Sequence, residues 1–129
     1  MLDVIIKNTK SFINSVPKNK RKKYGQFFTN ETTASYMASL FKFDLTKPEI
    51  YLLDAGAGTG ILSTAAIDRL MSLGYKGKIH LTCYESDKHV LPYLEYNLKL
   101  LYNKYGVEFS IIQDNYITSQ DFVHDALFA

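Results

Sequence analysis

Three carboxylates and three glycines stand out for their spacing. "LLDAGAGTG", residues 52–60, sets Gly56, Gly58 and Gly60 at alternate positions behind Asp54. Further on, Glu85 follows "KIHLTCY" and Asp114 follows "VEFSIIQ". Each acid closes a largely apolar run. Alternating glycines let the main chain turn tightly and let a ligand touch it without meeting a Cβ. A helix starting near Gly60 would point its free amides at the same spot. The dinucleotide fingerprint G-x-G-x-x-G leaves such a helix start open to a pyrophosphate. Here the spacing is G-x-G-x-G with a carboxylate in front. That carboxylate repels phosphates and attracts a ligand carrying sulfonium and ammonium charges. Glu85 can accept both hydroxyls of a ribose, and Asp114 can accept an adenine amine. The ligand that wants an acid at each of these points is S-adenosylmethionine. A lone glycine-rich turn is a weak signal; its register with three successive acid-tipped runs carries the inference.

Those acids must be held by strands. "IYLLDA" (50–55) predicts a buried strand, "KIHLTCY" (78–84) a second and "VEFSIIQ" (107–113) a third. Between them, residues 60–73 put Leu62, Ala66, Leu70 and Leu73 on one helical face. Residues 88–105 put Leu91, Leu94, Leu98, Leu101 and Tyr105 on another, with Pro92 in the first turn and Gly106 as the stop. Strands separated by helices pair in parallel through right-handed crossovers. The fold class expected is α/β, a Rossmann-like core with a partial parallel sheet of three strands behind N-terminal helices. Residues 2–16 have helical periodicity. Pro17 and the lysine run predict a linker, and "YGQFFTN" (24–30) a turn rich in aromatics. A second helix is predicted from Glu31, with Ala34, Met37, Ala38 and Phe41 on one face and Thr29 or Asn30 as its cap. Residues 115–129 read as a loop with at most one weak helix. The division this suggests is residues 1–23, a helix and basic linker, and residues 24–129, a partial S-adenosylmethionine-binding domain.

"DAGAGTG", "YESD" and "DNYI" resemble the successive cofactor motifs of class I methyltransferases. "KYGQFFT" resembles a further motif that precedes the glycine loop in N6-adenine DNA methyltransferases, in the form seen in type I modification subunits and fused type II restriction–modification enzymes. The resemblance covers about residues 20–118. It implies that Gly25, Gln26, Phe27, Phe28 and Thr29 close over the methionine end of the cofactor, and that Asp54, Gly56, Gly58 and Gly60 form the loop beneath methionine and ribose. It implies Glu85 as the ribose ligand, Ser86 beside the adenine, Asp114 on the adenine amine, and Tyr116 or Ile117 on the ring face. Asn30 stands where the family usually has proline.

The same resemblance implies a D/N/S-P-P-aromatic segment that presents a flipped adenine to the methyl group. The three prolines are Pro17, Pro48 and Pro92, with no Pro-Pro pair. The 129 residues alone are therefore expected not to methylate DNA, and a complementary C-terminal or specificity chain is an expected partner. A catalytically inactive nucleotide-binding or interaction module, and a small-molecule or RNA methyltransferase of the same fold, stay open as alternatives; "GQFFT" argues against the latter. A dinucleotide oxidoreductase fits the glycine spacing worst.

Composition sets the outer bounds. The chain is one domain at most, 47% hydrophobic and 22% charged, as soluble globular proteins are. A net charge of +2 does not by itself indicate nucleic acid, but Lys18, Lys20, Arg21, Lys22 and Lys23 crowd six positions and are candidate phosphate contacts for DNA. Cys83 is the only cysteine, which excludes an intrachain disulfide and a cysteine-based zinc cluster. His80, His89 and His124 lack ligand spacing, and Asp121 and Asp125 have no evident partners. No apolar run spans a bilayer, and "MLDVIIKNTK" is not laid out as a secretory signal. A cytoplasmic location fits best.

Overall fold

The computed structural model describes residues 1–119, apart from the side chains of residues 26, 27, 118 and 119. Three helices come first: α1 (Leu2–Ser15), α2 (Lys18–Phe27) and α3 (Glu31–Leu40). Strand β1 (Glu49–Asp54), helix α4 (Ile61–Ser72), β2 (Lys78–Tyr84), α5 (Leu91–Tyr105), β3 (Glu108–Ile112) and the short α6 (Tyr116–Ser119) follow. The strands pair in parallel in the order β1-β2-β3. The α/β class and the three-stranded parallel sheet are as the sequence predicts. Among the described residues no helix is long and apolar enough to cross a membrane. His124, Asp121 and Asp125 lie outside the described residues.

One face of the sheet makes the core. Along β2, Ile79, Leu81 and Cys83 are buried at every second residue, as strand geometry requires. They meet Ile67 and Leu70 of α4 and Leu94, Leu98 and Leu101 of α5. Gly106 ends α5 in the left-handed region, φ 71°, where a β-carbon is strained. Leu73, predicted on the inner face of α4, instead forms its exposed C-terminal cap. Ser63, Thr64 and Ala65 are buried in its place, because α3 packs on the other side of α4.

The opposite face carries a correction. β1 was expected to be buried, but Tyr51 is 72% exposed and Leu53 54%. Among the described residues β1 pairs only with β2, so its outer edge is free. Parallel sheets usually have both faces covered; here no described element covers the second face. A groove of about 180 Å³ runs along that edge, with Phe41, Phe43, Leu53 and Leu62 among its lining residues.

The N-terminal helices pack on α4 and α5: α3 and α1 lie against α4, and α1 also touches α5. α1 buries Leu2, Ile5, Thr9 and Phe12, on the side facing α4 and α5. Its first-turn amide at Leu2 donates to Asp68 Oδ2 at 2.8 Å. The lysine run is a helix, not a linker, and the helix continues through Phe27 into the stretch predicted as a turn. The anchors of α2 explain it. Arg21 donates from Nε to the Val16 carbonyl at 3.2 Å and from Nη2 to that of Asn14 at 3.2 Å, satisfying acceptors at the end of α1. Phe12 meets Tyr24 edge-on at 5.0 Å and Phe28 at 5.9 Å. Asn30, not Thr29, caps α3, its Oδ1 accepting from the Thr33 amide at 2.8 Å. Phe41 falls just past the end of α3 and is exposed.

Candidate functional site

The register of the sheet aligns the strand ends. Asp54 pairs with Cys83, and Tyr84 pairs with Ile112. The ladder continues one step beyond the strands: the Ala57 amide donates to the Tyr84 carbonyl at 2.9 Å, and the Glu85 amide to that of Ile112 at 3.0 Å. Asp54, Glu85 and Asp114 therefore leave neighbouring strands at the same end of the sheet, each from a position that local apolar runs had indicated.

The three glycines do three different things. Nothing lies within 4 Å of where a Cβ on Gly56 would sit, so main chain is open there. Gly58 has φ 57°, and a Cβ on it would come 3.1 Å from Phe28 Cε1. Gly60 has φ 91° and makes room for Leu94 Cδ1, 3.3 Å from the same construction. Gly60 thus serves the close packing of α4 on α5, while Gly56 is the glycine with free approach.

Glu85 is buried, 7% exposed, and is held by two main-chain donors: Gly58 N to Oε1 at 2.7 Å and Asp87 N to Oε2 at 2.9 Å. Hydrogen bonds to an ionised carboxylate are the strong kind and offset its desolvation. Each oxygen keeps a second lone pair. Asp54 accepts from the Ser63 hydroxyl through Oδ2 at 2.5 Å, while Oδ1 lies 3.4 Å from the Gly56 amide. Asp114 is exposed and accepts from the Asn115 amide at 2.7 Å. Ser86 is exposed, and Tyr116 stands edge-on to Tyr84 at 5.1 Å.

The segment 24–29 closes against this end of the sheet. The Tyr24 hydroxyl donates to Asp87 Oδ2 at 2.9 Å, and burial followed by that carboxylate raises the phenol above its ordinary pKa. Phe28 abuts Gly58 and also lines a cleft of about 530 Å³, together with Gly25, Thr29, Thr9, Lys10 and Ile61. That cleft lies between α1 and the start of α3, not over the three strand-end acids; Phe28, against Gly58, and Thr9, bonded to Thr59, link it to the glycine loop. Gln26 and Phe27 fall where only the backbone, within α2, is described.

Sequence reasoning missed four contributors: Ser63, Asp87, Thr9 and Asn97. Ser63 sits nine residues after Asp54 in a helix whose polar positions gave no hint of burial. Asp87 lay inside the quoted "YESD" without an assigned role. Thr9 and Asn97 belong to distant helices and reach the glycine loop only through folding.

Two relatives match the chain. The type II methyltransferase M.BsuBI of Bacillus subtilis is 38% identical over 105 residues, which is 81% of this chain and 20% of its own length. The type II methyltransferase M.PstI of Providencia stuartii is 31% identical over 123 residues, 95% of this chain and 24% of its own length. The resemblance to methyltransferases drawn from the motifs is thus matched by whole-sequence similarity, with the chain spanning a fifth to a quarter of these curated relatives. The chain matches no family model.

Proposed function

We propose that this chain is the S-adenosylmethionine-binding part of a site-specific DNA adenine-N6 methyltransferase belonging to a restriction–modification system. The observation that carries this is the convergence of Asp54, Glu85 and Asp114 at the ends of three adjacent parallel strands, beside a glycine, Gly56, whose main chain is open to approach. Ligands of open parallel sheets sit outside the carboxyl ends of the strands. The bound cofactor would supply a methyl group made electrophilic by its sulfonium. Asp54 supplies negative charge for the ammonium and sulfonium. Glu85 uses its remaining lone pairs for the ribose hydroxyls, and Asp114 accepts the adenine amine with Ser86 and Tyr116 beside it. The segment Gly25, Gln26, Phe27, Phe28 and Thr29 is the one the resemblance assigns to the methionine end, and Phe28 supports that through its contact with Gly58. Both matched relatives carry the name type II methyltransferase. Adenine as the target base rests on "KYGQFFT".

DNA is the macromolecular substrate, and the lysines of α2 are its phosphate contacts. Catalysis needs a second body of polypeptide that brings the Pro-Pro-aromatic segment, since no Pro-Pro pair occurs in this sequence. Among the described residues the outer edge of β1 is unpaired and the sheet face beside it is uncovered, which favours such a complement. A cytoplasmic location goes with this function.

Calorimetric titration with S-adenosylmethionine tests the binding half: saturable binding, weakened by Asp54→Ala and Glu85→Ala, is the expected result. Well-folded wild-type chain that takes up no S-adenosylmethionine refutes it. Transfer of labelled methyl to adenine in duplex DNA should appear when these residues are combined with polypeptide bearing a Pro-Pro-aromatic segment, such as the part of a matched relative outside the aligned region; transfer to cytosine or to a small molecule instead would overturn the substrate assignment.

A further inference from the structure

We propose that Thr9 and Asn97 are positioning residues for the glycine loop, so that the N-terminal helix is a working part of the cofactor site. In what it says about the ligand, this rests on the function proposed above. Thr59 lies between the two left-handed residues of the loop, Gly58 at φ 57° and Gly60 at φ 91°. Glycine loses more conformational freedom on ordering than any other residue, so a loop with glycine on both sides of one residue gains order from fixing that residue, beyond what the Gly58 and Gly60 amide bonds supply. Thr59 is fixed at both ends. Its hydroxyl meets Thr9 Oγ1 at 2.6 Å, and its carbonyl accepts from Asn97 Nδ2 at 2.8 Å.

The proton assignment follows from the partners. Thr9 donates its single hydroxyl proton to the Ile5 carbonyl within α1, at 2.8 Å. Thr59 is therefore the donor in the bond to Thr9. Asn97 in turn accepts from Asn8 Nδ2 at 2.8 Å, which orients its amide with nitrogen toward the loop. Thr9, Thr59 and Asn97 are 3%, 1% and 0% exposed, so water cannot replace a missing partner. On the other side Glu85 takes the Gly58 amide. The loop is thus gripped from α1, from α5 and from the end of β2, leaving Gly56 as its open part. A buried polar group stripped of its partner is costly, and here the loop can escape that cost only by moving.

Thr9→Val and Asn97→Leu remove the two grips with little change of volume. Amide hydrogen exchange in the free protein reads the loop without any ligand. Exchange at residues 57–60 should accelerate about tenfold or more in each variant relative to the amides of β2. S-adenosylmethionine affinity should fall by about tenfold. Thr9→Ser restores the hydroxyl and should restore both. Ile79→Val, a core change of comparable effect on Tm, serves as the control: it should leave loop exchange in step with the rest of the chain. Loop exchange that merely tracks Tm in Thr9→Val and Asn97→Leu overturns the proposal. If wild type itself fails to bind S-adenosylmethionine, the proposed function falls, while the exchange comparison still decides the positioning role.

Discussion

The ring of Phe28 lies against the bare main chain of Gly58: a Cβ at that glycine would meet Phe28 Cε1 at 3.1 Å and Cδ1 at 3.2 Å. Gly56, two residues earlier, has nothing within 4 Å. On the function proposed above, substitutions at the two glycines should separate folding from binding. Gly58→Ala should destabilise the protein by about 1–2 kcal/mol, because φ 57° strains a β-carbon and the ring must shift. Gly56→Ala should leave Tm near wild type and weaken S-adenosylmethionine by about tenfold. Thermal melts and titration calorimetry on both variants check this; wild-type affinity in Gly56→Ala would mean that the open main chain is not where the cofactor rests.

Glu85 has a structural duty as well as the proposed binding one. Glu85→Gln removes the charge that strengthens bonds from the Gly58 and Asp87 amides, and should cost about 2 kcal/mol in denaturant unfolding. Asp54→Asn keeps an acceptor for the Ser63 hydroxyl, so it should lower cofactor affinity with a smaller loss of stability. Equal losses of stability in the two variants would contradict this division of labour.

Cys83 gives a pH signature. Burial first, then the Asp54 charge, push its thiol from the ordinary 9.0 up to about 12. The unfolded chain therefore releases this proton before the folded chain does. The stabilising contribution is complete below pH 9.0 and declines as pH rises toward 12, at up to about 1.4 kcal/mol per pH unit. Tyr24, Tyr75 and Tyr105, raised chiefly by burial, slope the same way at higher pH. Cys83→Ala should flatten the early part of the decline. The native thiol should also resist thiol reagents at neutral pH and react only on unfolding; rapid native labelling would show the site to be open.

The lysines of α2 predict a salt signature. Lys18, Lys20, Lys22 and Lys23 are exposed and enter no ion pair among the described residues. No acid occupies the first turn of α2, where Lys18 and Lys20 sit at the positive end of the helix dipole, an arrangement that an anion relieves; Lys22 and Lys23 follow in the next turn. Arg21 is already engaged by carbonyls of α1 and is not counted with them. The ten-residue helix, about 15 Å long, ends at the segment that abuts Gly58. Replacing the four lysines with glutamine should weaken duplex DNA binding and reduce the slope of log affinity against log salt by about 0.9 for each phosphate no longer neutralised. An unchanged slope in fluorescence anisotropy titrations would remove α2 from the DNA interface.

What was legible in the sequence follows from locality. The strand-helix alternation could be read because buried faces impose periods of 2 and 3.6 on neighbouring residues. α2 was not legible because its inward anchors are one arginine and the aromatics that follow it, which leave no apolar stripe in "KNKRKK". The exposure of Tyr51 and Leu53 was hidden for the opposite reason: their apolar character suits a covered sheet, and the covering is absent among the described residues.

By itself the sequence determined the α/β order, the three acids behind apolar runs and the glycine turn after the first strand, since each is set by residues adjacent along the chain. Only the tertiary structure decided that Glu85 supports Gly58, that Phe28 rather than open space faces that glycine, and that Thr9 and Asn97 hold Thr59 from two different helices. Those relationships join residues between 27 and 50 positions apart, and a hydrogen bond or ring contact at that separation leaves no periodic trace in the chain that makes it.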